Sequence, residues 1–348
     1  MGFKKLDNED FVVSSNSVTS TVFSNNQPSL NEFFTSSAQE ESSTGDYYLN
    51  VFQTSSGLDG ASVQFAIAYG NRNGGGSLDF DSAVPGVSPT KTIFGQYRTL
   101  VLEDENAQFV FGTSFSGSDF YAISLDRARY KEKLFPGSLN LVLSASNSTP
   151  GFTELHLTDN SKDVSLPAFF GTQRAFQIVS GSNGNAYSGT GFSPESGSYG
   201  LFLPDIATLI LNASALNDSG SGYGIGLGTD VSANTDSNNN QKLFNHISGS
   251  SGDADNNIFK LNSQETLTSD FVFVRARNSE FNYTENPSFI SGSTGEVVYN
   301  YFIDNPQVYA TTVGLYNDSN DLLAVAKLSK PLVKDFTKEA LVRVKLDF

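Results

Sequence analysis

A search for chemistry in this chain begins with histidine and the acidic side chains, because cysteine is absent. That absence removes disulfides, thiolate metal ligands and a thiol nucleophile together. Two histidines occur, His156 in "TELHL" and His246 in "LFNHI". On an extended strand His156 shares a face with Glu154 and Thr158, between Leu155 and Leu157. Acid–base or triad catalysis needs a base oriented by a partner and a nucleophile within reach. No nucleophile elbow of the G-x-S-x-G kind supplies one locally. Both histidines are therefore expected to be structural or solvated.

Oxygen ligands are the next possibility. "GDADNNIF" sets Asp253, Asp255 and Asn257 at alternate positions, like the first half of an EF-hand loop. The pattern then fails, with Ile258 at the sixth position instead of Gly and Gln264 at the twelfth instead of Glu. A polar turn is the expectation. "GSGYGIGLG" (220–228) and "GNRNGGGS" (70–77) match the spacing of no phosphate-binding loop, and are expected to be tight turns needing positive φ. The 37 acids are scattered over turn-rich stretches, so no carboxylate pair can be nominated for glycoside cleavage. In "RARYKEK", Arg127, Arg129, Lys131 and Lys133 would share a strand face or spread around a helix. Ion pairing with an acidic neighbour is expected there. No catalytic, cofactor-binding or metal-ligating residue is nominated, no cofactor is expected, and the chain is read as not an enzyme.

Charge points the same way. Twenty-one basic residues against 37 acidic ones give a net charge of −16. Such a surface disfavours phosphate backbones, so nucleic acid is not an expected partner. The stretch 327–348 differs, with Lys327, Lys330, Lys334, Lys338, Arg343 and Lys345 against three acids. It reads as a solvated, edge-protecting face or as a patch for an acidic neighbour. "MGFKKLDNEDFVV" lacks the apolar core of a secretory signal, and Leu6 stands where myristoylation needs Ser or Thr. No apolar run reaches bilayer length, so membrane insertion is not expected.

The elements that must position these residues are mostly strands. Twenty-nine Phe and 14 Tyr supply core material that a Gly- and Ser-rich chain would otherwise lack. "SVQFAIAY" places Val63, Phe65, Ile67 and Tyr69 on one face, and "DFYAISL", "LNLVLSA", "DFVFVRAR" and "EVVYNYFI" read alike. "VGLYNDSNDLLAVAKL" predicts a hairpin turning over residues 317–321, whose Asn and Asp side chains bond their own backbone. "EALVRVKLDF" alternates strictly. Val342, Val344 and Leu346 are expected to bury, Arg343 and Lys345 to face out, and the strand to continue from the hairpin in its own domain's sheet. Few helices are expected: a short one at "PSLNEFF" from the Ser29/Glu32 capping spacing, and about two turns over 125–134. "PDIATLILNASAL" (204–216) is open between helix and strand.

The fold class expected is mainly β, in two or more antiparallel sandwich or barrel-like domains with few short helices. Residues 146–269 are rich in Gly, Ser and Asn and poor in cations, which suggests an inserted β domain. It would separate an N-terminal β domain (1–145) from a C-terminal β segment (270–348) that packs with the N-terminal one.

"LDRARYKEKLFPGSLNLVLS", "NPSFISGSTGEVVYN" and "VYATTVGLYNDSNDLLAVAKLSKPLVKDFTKEALVRVKLDF" resemble virion structural proteins of contractile-tailed phages, marine cyanophage types especially. The resemblance is strongest over 270–348 and 119–143 and weak over 146–269. It implies a tail or baseplate component, with neck or head as the alternative position. Such a component assembles non-covalently in the host cytoplasm with other virion proteins and copies of itself. A second implied role is host-surface glycan binding through the middle region, where Tyr187, Phe192, Tyr199 and Tyr223 could stack on sugars.

Overall fold

The computed structural model describes residues 3–36, 41–42, 45–78, 88–112, 115–146, 153–187, 198–218 and 224–347. The fold is mainly β and antiparallel, with few short helices. The chain divides into two compact units, Val18–Glu265 and a smaller one made of Met1–Ser17 with Thr266–Phe348.

The larger unit is built on a thirteen-stranded sheet. Eleven of its strands run in the order Ser29–Leu30, Phe259–Lys260, Asn140–Ser144, Glu154–Asp159, Gln173–Ser182, Gly200–Leu203, Thr208–Asn212, Asp119–Leu125, Val63–Asn71, Leu49–Phe52, Phe34–Thr35, and the short strands Ala168–Phe170 and Asn185–Ala186 pair with Gln173–Ser182 off that path. The strands at the two ends of that order, Ser29–Leu30 and Phe34–Thr35, are separated by only Asn31, Glu32 and Phe33. Four Cα steps of about 3.8 Å join Leu30 to Phe34, so the two edges lie within about 15 Å. The sheet must therefore curl back toward itself.

Both faces of this sheet are covered, and period-two alternation sorts the side chains between them. Phe65, Ile67 and Tyr69 join Tyr121, Ile123, Leu209 and Leu211 in one core. The helices α2 (Ala213–Asn217) and α3 (Asn239–Ser248) complete it with Leu216, Leu243 and Ile247. Ala68, Phe120, Ala122 and Ile210 point the other way and meet Ile93, Phe94 and Val101 of the helix α1 (Pro89–Leu102). Ser88 precedes Pro89 at the first helical position, where a missing N–H is harmless. Gly70 lets α1 sit close: a Cβ there would lie 2.9 Å from Phe120 Cζ and 3.0 Å from the Phe94 nitrogen.

The smaller unit pairs residues 269–276 with the terminal strand Ala340–Asp347, in the register Val272↔Val344. Val272 and Val344 are both buried. Val342 and Leu346 are partly buried on the same face, while Leu341, Arg343 and Lys345 are exposed. A hairpin, Val308–Tyr316 with Leu322–Lys334, forms a two-stranded sheet of its own. Its turn is held by Asn317 Oδ1, which accepts from the backbone N–H groups of Ser319 at 3.0 Å and Asp321 at 2.7 Å. The short helix α4 (Asn300–Asp304) precedes it.

Several expectations are corrected. "PSLNEFF" forms the two end strands of the large sheet in place of a helix. Residues 125–134 hold one 3₁₀ turn, Arg127–Arg129, capped by Asp126, and then a two-residue strand. Residues 204–216 resolve into a 3₁₀ turn, the strand Thr208–Asn212 and the start of α2. The terminal strand belongs to its own unit as expected, yet it pairs with 269–276 and not with the hairpin. The expected division at 145/146 does not separate units. Strands from 153–212 complete the same sheet as strands from 29–144, because their backbone bonds and both apolar faces are satisfied only there.

Candidate functional site

The residues weighed for chemistry in the sequence sit in the following surroundings. His246 lies in the last turn of α3, and its Nδ1 sits 2.6 Å from the Ser144 carbonyl oxygen. His156 sits on the strand Glu154–Asp159 beside the Tyr187 ring, with centroids 6.4 Å apart. Asp253 folds its own turn: Oδ1 accepts from the N–H groups of Asp255 and Asn257, both at 2.9 Å. Its other oxygen accepts from Asn140 Nδ2 at 2.9 Å. Arg127 stacks over the Tyr130 ring at 4.7 Å, and Lys133 pairs with Glu132 at 3.3 Å. The glycines of 70–77 turn the chain, with Gly74 at φ 84° and Gly76 at φ 82°. Among the described residues no three His, Cys, Asp or Glu side chains gather as metal ligands.

Three buried acids, Asp119, Asp159 and Asp335, were not singled out from sequence, and the first two lie in the larger unit. Asp159 is fully buried and fixes the 137–139 segment, accepting from the N–H groups of Gly137 at 2.7 Å and Leu139 at 3.3 Å. Asp119 is 6% exposed and accepts from the Tyr69 hydroxyl at 3.0 Å. Burial pushes the Asp119 carboxyl upward, partly offset by that bond, and pushes the Tyr69 phenol up as well. Periodicity places both residues in buried strands but cannot show that they face one another. Nearer the surface, burial pulls Asp205 upward, but the hydrogen bonds of Arg174 hold it below the usual carboxylate range. That pair closes at 2.6 Å and staples one strand start to a 3₁₀ turn.

Of the aromatics in the middle region, Tyr199 is fully buried and cannot stack on a sugar, whereas Tyr187 is exposed. Phe192 and Tyr223 lie outside the described residues.

Apolar surface is the feature that separates the two units. In the smaller unit the buried hydrophobic residues are Val272, Phe302, Ala340 and Val344; all the others described belong to the larger unit. Exposed large hydrophobics are distributed in the opposite sense. The smaller unit presents Phe11, Val12 and Val13, an aromatic group around Tyr299 and Tyr301, and Leu322, Leu323 and Val325 on the hairpin. Tyr299 and Tyr301 lie 5.4 Å apart by ring centroid, both packed near Phe289. Isolated exposed apolar residues are ordinary, but a unit that exposes far more than it buries is not.

Comparison with protein-family models, with curated proteins and with solved structures finds no match.

Proposed function

We propose that this chain is a non-enzymatic structural component of a contractile-tailed phage virion, first of all of the tail baseplate. Its smaller unit would hold neighbouring subunits by protein–protein contact. The observation that carries the proposal is the distribution of apolar side chains in that unit, which has four buried hydrophobics and many exposed ones. A two-stranded hairpin is marginal alone in water. The hairpin 308–334 leaves Leu322, Leu323 and Val325 exposed, as suits a surface covered on assembly. The segments that resemble phage virion proteins lie largely in this unit. Partners on this reading are other tail or baseplate proteins and copies of the chain itself, brought together in the host cytoplasm.

The test is a pair of phage stocks, one carrying the wild-type gene and one carrying Leu323→Ser with Val325→Ser. Particles of the variant are expected to lack this protein and to show defective tails by negative stain, while the purified variant still folds. Intact infectious tails without the protein would overturn the reading. Cross-links from the protein to neck or capsid subunits would move it to those positions.

A further inference from the structure

Lys334 ends the hairpin strand Leu322–Lys334 and is 2% exposed, while Asn282, 52 positions earlier, is 8% exposed. Lysine is almost never fully buried unless an acid pairs with it. Among the described residues, the partners of this ammonium are three neutral oxygens: the carbonyls of Asn278 and Asp335, and Asn282 Oδ1. The neighbouring acids are engaged elsewhere. Asp335 accepts from Thr337 and pairs with Lys338, and Glu339 pairs with Arg275. A buried primary amine therefore meets a buried carboxamide, with no carboxylate in the contact.

The contact is close. Lys334 Nζ donates to Asn282 Oδ1 at 2.8 Å, and a C=O bond is about 1.2 Å long, so Nζ stands within about 4.0 Å of Asn282 Cγ. A near-attack arrangement needs about 3–3.5 Å, so little movement is required. The Asn278 carbonyl oxygen accepts from Nζ at 2.9 Å and from Asn282 Nδ2 at 2.6 Å. One oxygen thus anchors both the amine and the amide nitrogen that an attack would displace. Phe281, beside Asn282, has φ 57°, a left-handed backbone that a bulky residue adopts only at a cost. Strain of this kind persists where the surroundings impose it, and it clusters at working sites.

We propose that Lys334 and Asn282 form a self-cross-linking site, in which the amine displaces ammonia from the carboxamide and leaves an isopeptide bond. The bond from Nζ to Cγ forms, and the bond from Cγ to Nδ2 breaks. Two protons leave the lysine ammonium and two join the departing nitrogen, so the co-product is an ammonium ion. No oxidant, reductant or cofactor enters. Reactants held in place gain an effective concentration of about 10⁵–10⁸ M over free ones. Burial also keeps out water, the competing nucleophile. With Asp335 and Glu339 occupied, no carboxylate relays the protons, so the reaction is expected to run slowly, after folding. The product would meet a structural need. The hairpin shares no sheet with the strand Asn262–Ala276, which shortly precedes Asn282, so the bond would tie one sheet to the other. This unit has four buried hydrophobics among the described residues, and the chain has no cysteine. Small cores are commonly reinforced by a covalent staple.

The experiment is intact-mass spectrometry of the full chain, freshly purified and after several weeks of incubation, followed by tryptic mapping. Wild type is expected to become lighter by one ammonia, with a branched peptide that joins Asn282 to Lys334. Lys334→Arg keeps the charge and the donors but is expected to keep its full mass. Asn282→Ala removes the acceptor carbon and is expected to do the same, so the comparison survives if one variant fails to fold. Full mass in aged wild type would overturn the proposal. Ammonia lost elsewhere, as at Asn73-Gly74 or Asn183-Gly184, with residues 282 and 334 in separate peptides, would overturn it too. So would conversion of Asn282 to aspartate, which would show that water reaches the carbon before the amine does.

Discussion

The Tyr69 hydroxyl donates to Asp119 Oδ2 at 3.0 Å, across the pairing of the strands 63–71 and 119–125. Asn71 Nδ2 donates to the same phenol oxygen at 3.3 Å, so the three form a chain in the buried layer. Burial raises the Asp119 pKa, with the Tyr69 bond working against the rise. An acid raised on folding disfavours the folded state once it ionises. Stability from this site is therefore highest below the unfolded value, about 3.9, and falls as pH rises through the folded one. Asp119→Asn keeps an acceptor for Tyr69 and removes the charge. We expect the variant to melt above wild type at pH 7 and alongside it near pH 3, by calorimetry at both values.

Asp335 carries the opposite sign. Its Oδ1 accepts from the Thr337 hydroxyl at 2.6 Å and from the Thr337 N–H at 2.9 Å, and Lys338 pairs with its other oxygen at 3.1 Å. The Thr337 hydroxyl first and Lys338 second bring its pKa down to about 2. Its contribution is present above the unfolded value near 3.9 and is lost as pH falls toward 2. Thr337→Val should shrink that acid-side loss, visible as a flatter stability profile between pH 4 and pH 2 and an unchanged slope above pH 5.

Beside it, Lys334 is 2% exposed, and its ammonium is held by the Asn278 carbonyl, Asn282 Oδ1 and the Asp335 carbonyl at 2.8–3.0 Å. Replacement with methionine keeps the stem and strands three acceptors. A loss of about 1–3 kcal/mol is expected from the unpaired groups, read by urea unfolding. No change in midpoint would mean that water replaces the ammonium at no cost.

Val272 and Val344 face each other in the small core of the smaller unit. Val344→Asp sets an unpaired charge there, at a cost of several kcal/mol. We expect hydrogen exchange over 266–347 to lose its protection in the variant. Retained protection would place that apolar face against another chain in the assembled state.

Gly70→Ala tests the seating of α1. The new methyl meets the Phe120 ring at 2.9 Å and the Phe94 backbone at 3.0 Å. Overpacking of this kind costs about 1–3 kcal/mol, measurable as a lower urea midpoint with an unchanged m-value.

Strand faces were legible because period two is a local property. Phe65, Ile67 and Tyr69, or Val342, Val344 and Leu346, declare a shared side without any knowledge of their partner. The hairpin turn was legible for the same reason, since Asn317 bonds groups two and four residues on. Pairing was not. Nothing local in "EALVRVKLDF" distinguishes the hairpin from residues 269–276 as its neighbour. Helix α1 went unread although Ser88-Pro89 is a good start signal, because Thr90, Thr92, Ile93 and Gly95 dilute its helical propensity. The Ser29/Glu32 spacing misled in the other direction, its residues being claimed by distant strands at 259–260 and 49–52. Tyr69 and Asp119, and likewise Asn239 beside Gly76, are neighbours only because the fold brings remote segments together.

The smaller unit draws on both extremes of the sequence, and Lys4 closes on Glu280 at 3.0 Å across 276 positions. Val344 follows Val272 by 72 positions, so during synthesis the face of residues 269–276 stays uncovered until the strand Ala340–Asp347 emerges.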